Sequence, residues 1–62
     1  MKVGIIGLGY WGPNLVRNFL AHPKVEKVYG CDLSDDRLNF IKSRFPSVEL
    51  LKDYNEMLKK DI

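Results

Sequence analysis

The sequence has one cysteine, Cys31, and one histidine, His22. No internal disulfide can form, and a four-ligand structural zinc site is out of reach. No apolar stretch reaches the ~18 residues that a membrane helix requires. The apolar run after Lys2 is short and broken by glycines, so it does not read as a signal peptide either. There is no sustained run of one charge. The 10 Lys+Arg and 8 Asp+Glu give a net charge of +2, and the basic residues are scattered from Lys2 to Lys60. That spread describes a solvated surface and not a nucleic-acid stripe. Linkers, repeats and low-complexity segments are missing as well. These absences leave a chain in a cytoplasmic setting with no membrane or nucleic-acid partner. At 62 residues, 45% of them hydrophobic and 29% charged, it is too apolar for disorder but short for a self-sufficient core. Below about 70–80 residues a fold usually needs disulfides, a metal or oligomerisation, and the first two are excluded here.

What the sequence does have is alternation. Val3 to Gly7 is an unbroken apolar run rich in β-branched residues, as expected of a strand buried on both faces of a parallel sheet. From about Trp11 to Ala21 the period becomes helical, with Leu15 paired to Phe19 and Val16 to Leu20 at i,i+4 spacing. Pro13 falls in the first turn, where a missing N–H costs nothing. Val25 to Asp32 reads as a second strand. Ser34 is a candidate N-cap with Asp35 and Asp36 in the first turn. Leu38, Ile41 and Phe45 continue a helix to about Arg44, and Pro46 closes it. Val48 to Leu51 is a short third strand. Asp53 opens a third helix with Glu56 placed as in a capping box, and Tyr54, Met57 and Leu58 form its apolar face. The order β-α-β-α-β-α implies a three-layer α/β half-domain with a parallel sheet.

Between the first strand and the first helix stands Gly7-Leu8-Gly9-Tyr10-Trp11-Gly12, a full G-x-G-x-x-G. Alone it is weak; its strand-to-helix context is what the dinucleotide-binding fingerprint demands. Gly7 permits the tight turn, Gly9 lets the backbone approach a pyrophosphate, and Gly12 lets the helix pack closely on the strand. N–H groups around Tyr10, Trp11 and Gly12 are expected to point at the phosphates at the positive end of the helix dipole. Asp32 lies 20 residues beyond Gly12, at the predicted end of the second strand. The fingerprint places there an acid that accepts from the adenosine ribose hydroxyls and repels a 2′-phosphate, favouring NAD over NADP. Arg37 is close enough to accommodate a 2′-phosphate and weighs the other way. A Walker A loop is excluded, because Gly12-Pro13-Asn14 stands where Gly-Lys-Ser/Thr is required. A protein-kinase loop is excluded because a helix, not a hairpin, follows.

Each of these residues has a blander reading. The glycines can form a turn that binds nothing, and Asp32 can be a capping acid ahead of Ser34. Tyr10 and Trp11 can cover a cofactor or merely pack at the surface. Cys31 reads as a small buried hydrophobe and His22 as a surface residue at a helix end. No nucleophile or general base has a partner, so no catalytic residue and no metal ligand is assigned.

The run Val3-Gly4-Ile5-Ile6-Gly7-Leu8-Gly9-Tyr10-Trp11-Gly12-Pro13-Asn14-Leu15, with Gly30-Cys31-Asp32 and Asp36-Arg37, resembles the amino terminus of the glucose–fructose oxidoreductase/inositol dehydrogenase (Gfo/Idh/MocA) family. The Tyr10–Asn14 stretch is similar to the branch acting on sugars and nucleotide sugars. Tyr54-Asn55-Glu56-Met57-Leu58 and Asp61-Ile62 resemble the segment before that family's fourth strand. The resemblance implies an NAD(P)-binding Rossmann segment, truncated before the fourth strand, of a two-domain dehydrogenase. Of the family's functional positions, only the loop glycines and Asp32 map here; its catalytic lysine, aspartate and histidine belong to later segments. In the Rossmann strand order 3-2-1-4-5-6 the first strand would then be an exposed edge. A homodimer through Val3–Gly7 is expected. Rival expectations are a stand-alone nucleotide-binding or dimerising module, and an FAD or S-adenosylmethionine site.

Overall fold

The computed structural model describes residues 1–60 and 62. Asp61, one of the residues in the closing family-like stretch, lies outside the described residues. The alternating pattern resolves into β1 (Lys2–Ile6), α1 (Gly12–Ala21), β2 (Lys27–Cys31), α2 (Asp35–Arg44), β3 (Glu49–Leu51) and α3 (Tyr54–Leu58). The strands form one sheet in the order β1-β2-β3, and both pairings are parallel. Val3 stands opposite Val28 and Ile5 opposite Gly30; Gly30 in turn stands opposite Leu50.

Because successive strand side chains point to opposite faces, that register sorts the residues into two layers around the sheet. One face carries Val3, Ile5, Val28 and Leu50. It packs against Val16, Phe19 and Leu20 of α1 and Leu38 and Ile41 of α2, with Leu8, Val48 and Phe45 closing the ends. Val16, Val28 and Ile41 are the largest fully buried side chains. The other face carries Tyr29, Cys31 and Leu51 against Met57 of α3. The result is the expected three-layer, all-parallel α/β arrangement. Among the described residues no helix is long and apolar enough to cross a membrane.

Several sequence expectations shift in detail. Leu15 is 43% exposed and does not share the core with Phe19. Each helical residue advances 100°, and with Val16 at the centre of the buried stripe Leu15 falls on its flank. β1 ends at Ile6 because Gly7 has a positive φ of 88°, outside any strand conformation. β2 begins at Lys27, since Val25 donates instead to His22 O in the turn after α1. In α3 the Asp53 carboxylate accepts from Asn55 N at 2.8 Å, one residue short of the capping-box partner. Glu56 lies instead 4.0 Å from Lys59, so the box is not closed. Tyr54 and Leu58 are at least half exposed. A five-residue helix turns only one side chain, Met57, fully onto the sheet.

Candidate functional site

The turn from β1 into α1 is built around Gly7. Its φ of 88° reverses the chain direction, and its N–H donates to Cys31 O at 2.8 Å, tying the turn to the end of β2. Leu8, 2% exposed, plugs into the core beneath the turn. The chain then rises through Gly9, Tyr10 and Trp11 to the first residue of α1. Trp11 is the N-cap residue of α1, but no side chain caps that helix. Pro13 supplies no N–H.

Gly12 departs from expectation in two ways. Its N–H donates to Gly9 O at 3.1 Å, so it closes the turn and is not offered outward. A Cβ on Gly12 would stand 3.3 Å from Leu8 Cβ, so its close approach is to the turn residue Leu8 and not to the strand. Among the described residues, the N–H groups of Gly9, Tyr10, Trp11 and Asn14 donate to no protein acceptor. Two of these, Tyr10 and Trp11, are the expected donors. Asn14 was legible as one of the first N–H groups of any helix, which have no partner within it. Tyr10 and Trp11 are themselves exposed and stack edge-to-face at 5.2 Å.

Asp32 follows β2 directly and reaches back to this turn. One carboxylate oxygen, Oδ2, accepts from Leu8 N at 2.8 Å and the other, Oδ1, from Ser34 N at 2.8 Å. Arg37 Nη1 lies 3.4 Å from Oδ2. The Asp32 side chain is only 8% exposed. The backbone bonds from Ser34 and Leu8 hold its carboxyl below the usual range, burial works against them, and Arg37 adds to the lowering. The acid ties the glycine turn to the start of α2 and lines the larger cleft, while the side chain that caps α2 is that of Ser34.

Arg37 is the residue whose position the sequence left open. It sits in the first turn of α2, which Ser34 caps through Oγ. Its guanidinium lies over Gly9: a Cβ there would stand 3.5 Å from Arg37 Cζ. The same side chain forms a wall between two clefts. One, of about 750 Å³, runs along Gly7, Cys31, Asp32, Ser34 and Lys52 to Tyr54. The other, of about 460 Å³, lies between Gly9, Tyr10, Pro13 and Phe40. Both fall in the size range of small-molecule and cofactor sites. Lys52 is paired with Asp35 at 3.1 Å. Trp11 lines neither cleft.

The other titratable groups are accounted for structurally. Cys31 is buried, its Sγ is 3.8 Å from Lys52 O, and burial together with Asp32 and Asp53 raises its thiol above the ordinary value. Such a thiol is not an activated nucleophile. His22 Nδ1 accepts from Lys24 N at 3.1 Å in the turn after α1. Among the described residues no three His, Cys, Asp or Glu side chains converge as a metal site would need. What the arrangement offers is recognition: neutral donors, one clamped carboxylate and the guanidinium paired with it, around two open clefts. No family model, no curated protein and no solved structure matches the chain.

Proposed function

We propose that the chain binds the adenosine diphosphate part of a nicotinamide dinucleotide, NAD ahead of NADP, at the turn between β1 and α1. The observation that carries the reading is the set of unpaired N–H groups at Gly9, Tyr10, Trp11 and Asn14, at the uncapped start of α1 and beside a clamped Asp32. The first N–H groups of a helix have no partner within it, and the positive end of a helix dipole favours an anion. The residues fit the group: Gly9 presents bare backbone, and Asp32 has an acceptor position left for a ribose hydroxyl. Tyr10 flanks the phosphate seat.

When bound, such a cofactor supplies hydride transfer. The family resemblance makes the partner reaction oxidation or reduction of a sugar or nucleotide-sugar hydroxyl. Within this chain the residues named above bind and orient, and among the described residues none is placed to move a proton. A cytoplasmic setting belongs to the same proposal.

The test is titration of the chain with NAD, NADP and AMP, followed by amide shifts and Trp11 fluorescence. Saturable shifts at Gly9–Gly12 and Asp32, larger for NAD than NADP, are expected. The absence of any shift at millimolar ligand rejects the reading. FAD and S-adenosylmethionine in parallel titrations separate the rival adenosine ligands.

A further inference from the structure

We infer that Arg37 is an exchangeable cation that leaves Asp32 when the ribose binds and takes up the diphosphate, coupling the two halves of the ligand. The inference rests on the nucleotide reading above and deepens it. An ionised carboxylate offers about four acceptor positions. In Asp32, Oδ2 is filled by Leu8 N and Arg37 Nη1, and Oδ1 holds only Ser34 N. A ribose diol that engages both oxygens therefore needs one position that is already taken. Of the three donors, the two backbone N–H groups are fixed by the glycine turn and the start of α2, each at 2.8 Å. Arg37 is held at 3.4 Å by a side chain that is 56% exposed. Arg37 is the donor that yields.

A guanidinium released from Asp32 is already in position. It stands against Gly9, the residue whose missing Cβ opens the backbone to the diphosphate. The turn itself contributes only neutral N–H donors, and the other cation lining the clefts, Lys52, is engaged with Asp35. Arg37 thus exchanges one anion for another, and its planar fork suits phosphate oxygens. Adenosine alone displaces Arg37 without supplying a new partner. A ligand carrying both ribose and diphosphate supplies one.

The test compares adenosine with ADP-ribose on the wild-type chain and on Arg37→Gln, with Kd from amide shifts. Arg37→Gln is expected to bind adenosine as well as or better than wild type. It should bind ADP-ribose about tenfold more weakly, the size of a lost charge-assisted hydrogen bond. Arg37→Lys, which keeps the charge without the fork, should fall between. Equal weakening of both ligands, or no change in either, overturns the exchange. Unchanged ADP-ribose binding with loss of 2′,5′-ADP binding overturns it too, since Arg37 would then read a 2′-phosphate. If the wild-type chain binds neither adenosine nor ADP-ribose, the nucleotide reading itself fails and the exchange with it. Asp32 keeps its two backbone donors, Leu8 N and Ser34 N, in both variants, and thermal melts check that the fold is intact.

Discussion

Asp32 carries two loads, and they can be separated by measurement. Its bonds from Leu8 N and Ser34 N hold the glycine turn against α2 whether or not a ligand is present. Asparagine at 32 keeps one acceptor oxygen but turns an NH₂ toward the other backbone donor, leaving a half-buried N–H without a partner. Asp32→Asn is therefore expected to destabilise the chain by about 1–3 kcal/mol in urea unfolding at neutral pH. The acid range gives a second readout. The folded-state pKa of Asp32 is lowered, chiefly by the bonds from Ser34 and Leu8. Its contribution is then complete above the unfolded value of about 3.9 and is lost as pH falls through the lower folded value. Wild-type stability should drop over that acid window more than Asp32→Asn does, and parallel curves would show that the clamp is not electrostatic. Gly7 and Gly9 divide in the same way. At Gly7 a Cβ meets nothing within 4 Å, but φ is 88°, so Gly7→Ala costs about 1–2 kcal/mol through backbone strain alone. At Gly9 a Cβ makes only ordinary contact with Arg37. Gly9→Ala should therefore melt like wild type and still lose nucleotide binding, a split that a purely structural turn would not produce.

The helix starts show how much of the molecule is written locally. Ser34 before Asp35-Asp36 and Asp53 before the third helix are read directly from residue type, and both side chains cap as expected of an N-cap residue. Ser34→Ala should cost about 1 kcal/mol and loosen the first turn of α2, and with it the seat of Arg37. A thermal melt measures the first effect, and amide exchange at Arg37 measures the second. α1 alone lacks a side-chain cap, and this too was legible, since no Ser, Thr, Asp or Asn stands at Trp11. Three details were not legible. The capping box at Asp53 failed because the carboxylate found Asn55 N first. The exposure of Leu15 depends on which of two adjacent i,i+4 rows faces the sheet, and spacing alone does not choose. The placement of Arg37 over Gly9 depends on how α2 docks beside the turn, a contact 28 residues apart in sequence. Glycine spacing and the position of Asp32 gave the site's two anchors, whereas the cation between its clefts required tertiary structure.

At the scale of the molecule, the order β1-β2-β3 leaves β1 paired along one side only. Its other side presents backbone N–H and C=O groups in a five-residue strand, the kind of edge that pairs with other chains unless it is blocked. The blocking devices are sparse. Lys2 is the one charge on the strand, and no proline or bulge interrupts it. Beside this edge, on the α3 face, Ile6 is 60% and Leu58 61% exposed, and with Gly4, Met57, Lys60 and Ile62 they border a shallow groove of about 300 Å³. Antiparallel pairing of two copies across Gly4 would continue the sheet and set Ile6 of each copy opposite Lys2 of the other. A chain with this little core gains most from such an addition. The prediction is a species of twice 7.2 kDa by light scattering, dissociating on dilution. Ile6→Lys sits at an exposed position and should cost the monomer little, yet it sets two lysines opposite each other across the seam and should leave only monomer. A wild-type chain that stays strictly monomeric at high concentration removes the edge-pairing idea. A dimer that survives Ile6→Lys moves the interface to another surface. Ile6 also lines the larger cleft beside Asp32, so nucleotide binding is read on the wild-type chain and not on Ile6→Lys.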